Sequence, residues 1–204
     1  MSQTTKPPEV RALSLYGTPP EVRADDEARK LTGYAAVFNS RSVDLGGFRE
    51  IIAPGAFAAV LQSGEDIRAL VDHDHSRILG RTSAGTLRLR EDSQGLADEI
   101  DLPATSYAND LLVSIRRKDI SGQSFGFYVE DDDWVWVDDI LVRTLLRVRL
   151  TEVTITSIPA YTDTSVGVRG AGLLIPDEVR NTASKCRRFP RRARAERLLK
   201  IAAA

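Results

Sequence analysis

The sequence is poor in residues that form cross-links or bind metals, since its 204 residues include one cysteine and two histidines. Cys186 has no partner for an internal disulfide, which fits a reducing compartment. No stretch approaches the roughly 18 consecutive apolar residues of a membrane helix, and the N-terminal sequence MSQTTKPPEV lacks the apolar segment of a secretory signal. These absences predict a cytoplasmic protein that has no membrane partner.

The charge is unevenly distributed along the chain. Hydrophobic residues make up 42% and charged residues 28%, as in an ordinary soluble domain. The formal net charge is -1, but residues 185–204 carry +7 and residues 1–184 therefore carry -8. The basic end can bind nucleic acid or an acidic protein surface, or it is simply a solvated tail. The acidic body argues against a general nucleic-acid role, because it would repel phosphate.

The order of sequence patterns predicts one domain with two appendages. Residues 1–30 are rich in proline and charge and are predicted to form an N-terminal arm; residues 171–204 form a basic C-terminal tail, flexible or removed by processing. Between them, residues 31–170 contain many strand patterns, among them a hairpin over 86–102. Two helices are predicted, one from Pro54 to a stop at Gly64 and one capped by Thr105 or Ser106. The fold class is mainly β with flanking helices, a barrel or a sandwich.

Both histidines lie in the short segment Asp72-His73-Asp74-His75. Three interpretations remain open at this point. In a strand, His73 and His75 would share a face and could hold a metal together with a carboxylate, although no further His or Cys completes a tight site. The segment could instead be a surface loop with no role, or one histidine could act as a general base near neutral pH. We predict no metal and no cofactor.

A general base needs a nucleophile and a group that orients the imidazole. Ser124 stands among small residues at the start of a strand pattern, where its hydroxyl can be exposed, although such serines are usually structural. Glu152 lies in a strand pattern where its alternation matches Val148 and Leu150, so a buried carboxylate is expected. Such a carboxylate has to be paired, either with an arginine or with a catalytic imidazole.

Taken together, several segments resemble the tailed-phage prohead protease family, whose serine peptidases share a fold with the herpesvirus protease assemblin. The resemblance covers about residues 33–164. It rests on six blocks in order: GYAAVFN, FREIIAPGAF, His73-Asp74 followed by ILGR, SAGTLRLREDSQGLADEIDLP, DISGQSFGF and LTEVTITSIPAY. Lys118 stands where relatives often have glycine and Thr154 where they often have serine, and neither is expected to touch the chemistry.

The resemblance implies a fold, a site and a function. The fold would be an assemblin-like β-barrel surrounded by α-helices. His73 would be the base, Ser124 the nucleophile and Glu152 the third residue, where assemblin has a second histidine. The protein would be a serine endopeptidase that cleaves itself and the scaffold or delta segment of the major capsid protein. It would act inside the assembling procapsid in the host cytoplasm, encoded by a phage or prophage, as a homo-oligomer.

Two other functions remain open from the sequence. The domain could be a capsid-assembly or scaffolding protein without catalysis, or the basic tail could make the protein a nucleic-acid binder whose affinity falls with added salt. A general esterase is disfavoured, because the sequence lacks a Gly-x-Ser-x-Gly elbow.

Overall fold

The computed structural model of the protein describes residues 9–12, 23–25 and 29–157. The predicted basic tail, including Cys186, lies outside these residues, as does the end of the predicted domain. In the described part, the secondary structure consists of ten strands, two α-helices and one 3-10 helix (Thr82–Ala84). The strands are β1 (Glu9–Ala12), β2 (Arg23–Asp25), β3 (Lys30–Val37), β4 (Arg49–Ile52), β5 (Arg68–Val71), β6 (Asp74–Arg81), β7 (Leu87–Glu91), β8 (Gly95–Asp101), β9 (Gly122–Val137) and β10 (Ile140–Thr156); the helices are α1 (Ala58–Ser63) and α2 (Ser106–Arg116).

The strands form two sheets. One has six strands, in the order β1-β9-β10-β5-β6, with β4 also paired with β10; the other has four, in the order β2-β3-β8-β7. β4 and β5 both run parallel to β10, and the other pairs are antiparallel. The protein is therefore mainly β with few helices, and the described strands do not close into a barrel.

Several local predictions are confirmed. The predicted hairpin is β7–β8, in which Leu87 is buried whereas Arg88 and Arg90 are exposed, as alternation requires. The predicted stop at Gly64 is confirmed, since this residue caps α1 with a φ of 73°, the left-handed conformation that favours glycine, but the helix begins at Ala58 and not at Pro54. Thr105 is the N-cap of α2, although its side chain makes no capping hydrogen bond.

The core lies between the two sheets. Phe125 and Phe127 of β9, two residues apart and therefore on one face, have ring centroids 4.9 Å apart. They belong to one hydrophobic cluster with Leu31 of β3 and Ile100 of β8, and with Phe57, which precedes α1. This packing turns Phe125 and Phe127 inward, so Ser124 and Gly126, at the alternate positions of β9, lie on the opposite face.

Strand β9 is continuous over 16 residues and contains the acidic run 130–133. Asp138 and Asp139 form the turn to β10, with φ of 49° and 63°. At this run β10 lies between β9 and β4, and Asp132 Oδ2 accepts a hydrogen bond of 2.6 Å from Nε of Arg143 on β10.

Candidate active site

The first half of β9 and the last half of β10 place two of the three predicted catalytic residues on one sheet face. Ser124 is directly opposite Thr154, and Glu152 is directly opposite Gly126. Directly opposed residues, and residues two apart on a strand, share a face. Ser124 and Glu152 are therefore near neighbours on the face turned away from Phe125. Both are buried, and Ser124 has no exposed surface.

His73 lies in the tight turn between β5 and β6, and not within a strand. Asp72 and His73 have φ of 47° and 59°, and Val71 pairs with Asp74 across the turn. This is the backbone of a two-residue hairpin with both central residues left-handed. Aspartate and histidine are among the non-glycine residues that adopt this conformation most readily. His75 lies on β6 and is exposed. The metal hypothesis required both histidines on one face of a strand, and they do not have that arrangement.

The turn is attached to the end of β10 by three hydrogen bonds of 3.0 Å. The Asp72 backbone N–H donates to the Ile155 carbonyl, and the Ser157 backbone N–H donates to Asp72 Oδ1. The His73 backbone N–H donates to Oγ1 of Thr154, the residue opposite Ser124. These contacts hold His73 at the end of the β9–β10 ladder where Ser124 lies.

His73 Nδ1 makes a short contact with Oε1 of Glu152. The His73 side chain is 28% exposed and the Glu152 side chain 6%. Glu152 is therefore paired with an imidazole, and not with an arginine as in the alternative interpretation. Glu152 Oε2 is buried and has no hydrogen-bond partner in the described part of the chain. Among the described residues, the His73 imidazole is therefore the main polar group that stabilises this carboxylate.

The sequence placed Glu152 on the same strand face as Val148 and Leu150, and this is wrong. The β9–β10 register shifts between Leu150 and Glu152, because Leu150 pairs with Phe127 whereas Glu152 pairs with the next residue, Gly126. One extra residue on β10 is a β-bulge, which reverses the alternation beyond it. Leu150 therefore faces the core, and Glu152 faces the same side as Ser124.

Gly126 is a site residue that sequence reasoning missed. A Cβ at this position would lie 2.9 Å from Glu152 Cγ and 3.0 Å from Glu152 Oε1. Its carbonyl also accepts a 2.8 Å hydrogen bond from the Thr151 hydroxyl, on the bulge residue. Glycine therefore leaves the space through which the Glu152 side chain passes towards His73. The signal was a glycine two residues after the candidate serine, on the same strand face.

The two positions that depart from the family pattern have clear structural settings. Thr154 was expected not to touch the proposed chemistry, but its hydroxyl accepts the His73 backbone hydrogen bond. Serine has the same hydroxyl, so the exchange preserves the acceptor. Lys118 has a φ of 65° at the end of α2 and donates its backbone N–H to the Ile115 carbonyl. That left-handed conformation is the one glycine would adopt without strain.

A groove of about 620 Å³ lies on the four-stranded sheet, away from these residues. Its walls come from β3, β7 and β8 and the turn between the last two; the lining residues are Thr32, Gly33, Tyr34, Arg88, Leu89, Arg90, Gln94, Ala97, Asp98 and Glu99. His73, Ser124 and Glu152 are not among them. In the described part of the chain no group of three or more His, Cys, Asp or Glu side chains is arranged to hold a metal ion, and neither helix has the length and apolarity to span a membrane.

Comparison with known families supplies the wider context for this arrangement. Residues 18–173 match the family described as Caudovirus prohead serine protease. The chain belongs to that family. The match contains the hairpin turn, β9 and β10, and therefore all three predicted site residues. Membership makes the chain a relative of capsid maturation proteases with a serine nucleophile. No curated protein matches the sequence.

Among solved structures, the chain is similar to the capsid assembly protease gp21 of bacteriophage T4. The two share 8% sequence identity over 74% of this chain and 99% of gp21, with a TM-score of 0.47. A likeness at this level carries no argument about the site of this chain.

Proposed function

We propose that the protein is a serine endopeptidase in which Ser124 is the nucleophile, His73 the general base and Glu152 the group that orients the imidazole. The observation that carries the proposal is the contact between His73 Nδ1 and Glu152, on the strand face that also bears Ser124. A carboxylate on Nδ1 keeps the proton on that nitrogen, so Nε2 has the free lone pair that a base requires.

The reaction then follows from these roles. Ser124 Oγ attacks the peptide carbonyl carbon while His73 Nε2 takes the hydroxyl proton, and the resulting imidazolium is stabilised by Glu152. The C–N bond breaks as Nε2 delivers that proton to the leaving amine, which leaves an acyl ester on Ser124. Water, deprotonated by Nε2, hydrolyses the ester and returns the proton to Ser124.

The substrates and setting are proposed from the family. We propose that the enzyme cleaves the scaffold or delta segment of the major capsid protein, and itself, inside the assembling procapsid in the host cytoplasm. Its partners would be the major capsid protein and further copies of this chain. The same membership supports an assemblin-like barrel as the complete arrangement of the domain, and residues 171–204 as a tail that binds scaffold or is removed by processing.

The test is co-expression with the capsid protein encoded beside this chain, with intact masses of both proteins as the readout. We expect truncated capsid protein with the wild type and full-length capsid protein with Ser124→Ala. The matched control is Ser121→Ala, which makes the same change at an exposed serine three residues earlier. This control should process normally.

Normal truncation in Ser124→Ala would contradict the nucleophile assignment. If neither the wild type nor the variants process the capsid protein but shells still require the domain, the alternative function as a non-catalytic assembly or scaffolding protein is favoured.

A further inference from the structure

Strand β1 of the N-terminal region covers the edge of β9 beside Ser124. Its four residues pair antiparallel with β9, from Glu9 opposite Phe127 to Ala12 opposite Ser124. β10 occupies the other edge of β9, and β1 is the last strand on its side of the sheet among the residues that the structure describes. The chain therefore runs along the edge of β9 towards the candidate nucleophile and reaches it at Ala12.

A peptidase binds its substrate in an extended conformation. The substrate usually adds as a strand to an exposed sheet edge of the enzyme. The acyl half of a substrate runs from its amino end to the scissile carbonyl at the nucleophile. On the edge of β9, such a segment would run antiparallel to β9, from Phe127 towards Ser124. Strand β1 runs in the same direction. The paired backbone of β1 thus lies where the acyl half of a substrate would add to the sheet.

We propose that the edge of β9 from Ser124 to Phe127 is the docking edge for the acyl half of the substrate, and that β1 occupies it as an autoinhibitory strand. This inference rests on the proposed function.

The side-chain contact between Glu9 of β1 and Arg143 can open without leaving the buried cation unpaired. Glu9 is buried and its Oε2 accepts a hydrogen bond from Arg143 Nη1 at 2.9 Å. Arg143 also contacts Glu50 at 3.2 Å and Asp132 at 2.6 Å. When Glu9 leaves, the guanidinium keeps two carboxylate partners, so it is not left as an unpaired buried charge. Such a strand can be displaced while the rest of the sheet stays intact.

The experiment measures covalent labelling of Ser124 by two probes, with the adducts located by mass spectrometry. One probe is the peptide Pro-Glu-Val-Arg-Ala, residues 8–12, with a C-terminal diphenyl phosphonate; Ser124 Oγ forms a bond to phosphorus and phenol leaves. The other is a small fluorophosphonate that makes no strand contacts. Each is applied to the full chain and to a chain lacking residues 1–12, with Ser124→Ala as the blank.

We expect the deletion to raise the ratio of peptide labelling to fluorophosphonate labelling about tenfold, because the fraction of molecules with an open edge limits the apparent affinity. An unchanged or lower ratio would overturn the docking inference while leaving the nucleophile intact. Failure of both probes to label Ser124 in every variant would instead overturn the proposed function.

A second pair of variants keeps the test decisive if the deletion does not fold. Glu9→Gln weakens the anchor of β1, and Glu130→Gln makes the same change in an exposed ion pair with Arg147. We expect the labelling ratio to rise about threefold in Glu9→Gln and to stay at the full-chain value in Glu130→Gln. Equal ratios in the two variants would overturn the inference.

Discussion

The six-stranded sheet contains two sites at which carboxylates pair with a basic side chain, and the sites differ in that side chain. At one end of the β9–β10 ladder, Glu152 contacts the imidazole of His73. At the other, Arg143 contacts Glu9, Glu50 and Asp132, and its guanidinium carbon lies 5.3 Å from the Trp134 ring centroid. The arginine has three carboxylates around one cation, whereas the histidine has one carboxylate and a partly exposed ring.

This difference separates a structural cluster from a reactive one. Arginine keeps its charge at every pH that a protein experiences, so the Arg143 cluster joins β1, β4, β9 and β10 without exchanging protons. An imidazole can give up and take up a proton, and the His73 ring has a second nitrogen available for a substrate proton. Loss of a partner should therefore reduce activity at His73 and reduce stability at Arg143.

The largest expected effect is on catalysis, in Glu152→Gln. An amide of the same shape no longer fixes the proton on Nδ1 or stabilises the imidazolium, so the cleavage rate should fall about 10³- to 10⁴-fold. Capsid-protein cleavage in a timed co-expression measures it, with Glu130→Gln as the matched change on the exposed part of β9. A loss of less than about tenfold would contradict the proposed role of Glu152.

The next effect is on stability, in Arg143→Ala. Removal of the guanidinium leaves three carboxylates without their shared cation, and the free energy of unfolding should fall by about 3–5 kcal/mol. Urea denaturation measures the loss. Arg147→Ala, which removes an exposed ion pair with Glu130, should cost less than about 1 kcal/mol. An equal loss of free energy of unfolding in Arg143→Ala and Arg147→Ala would show that burial does not make the Arg143 ion pairs stronger than the exposed pair of Arg147.

Asp98 of β8 is a buried carboxylate outside both sites, and it extends the comparison because it faces the amide of Gln123 and not a cation. Burial raises the pKa of Asp98 to about 7, against a smaller opposing effect of the Gln123 side chain. The folded-state pKa of Asp98 lies above the unfolded value, so the folded protein favours the protonated carboxyl. The contribution of Asp98 to the free energy of unfolding is therefore complete below about pH 4 and is lost as pH rises to about 7.

Asp98→Asn should remove that pH dependence. Between pH 4 and 8 the wild type should lose up to about 4 kcal/mol that the variant does not lose, since one pKa unit corresponds to 1.4 kcal/mol. Urea denaturation of both proteins across this range provides the measurement. Parallel stability curves would show that Asp98 is ionised in the folded protein.

The smallest expected effect tests the space beside Glu152. Gly126→Ala places a methyl group against the Glu152 side chain and should cost about 1–3 kcal/mol of stability. The same substitution in a Glu152→Ala background should cost less, because most of the clash is then absent. A double-mutant cycle by urea denaturation measures the coupling between the two sites. A coupling of zero would contradict the close packing of these residues.

Much of the fold could be predicted from local patterns. Alternation identified the β7–β8 hairpin, and Gly64 marked the end of α1, because both depend on neighbours in sequence. The face of Glu152 could not be predicted, because the bulge beside Thr151 depends on pairing with β9. The ion pair of Asp132 could not be predicted for a related reason, since its partner Arg143 lies on another strand. For the site, the contact of His73 with Glu152 was anticipated through the family resemblance, and the need for Gly126 was not.

The most direct measurement of the central claim is fluorophosphonate labelling of Ser124, located by peptide mapping, in the wild type, His73→Ala and His75→Ala. His75 is the matched control, because it lies two residues away and is exposed. The account predicts a single adduct on Ser124 in the wild type and in His75→Ala, and its loss in His73→Ala. Undiminished labelling of Ser124 in His73→Ala, or an adduct on a different residue, would contradict it.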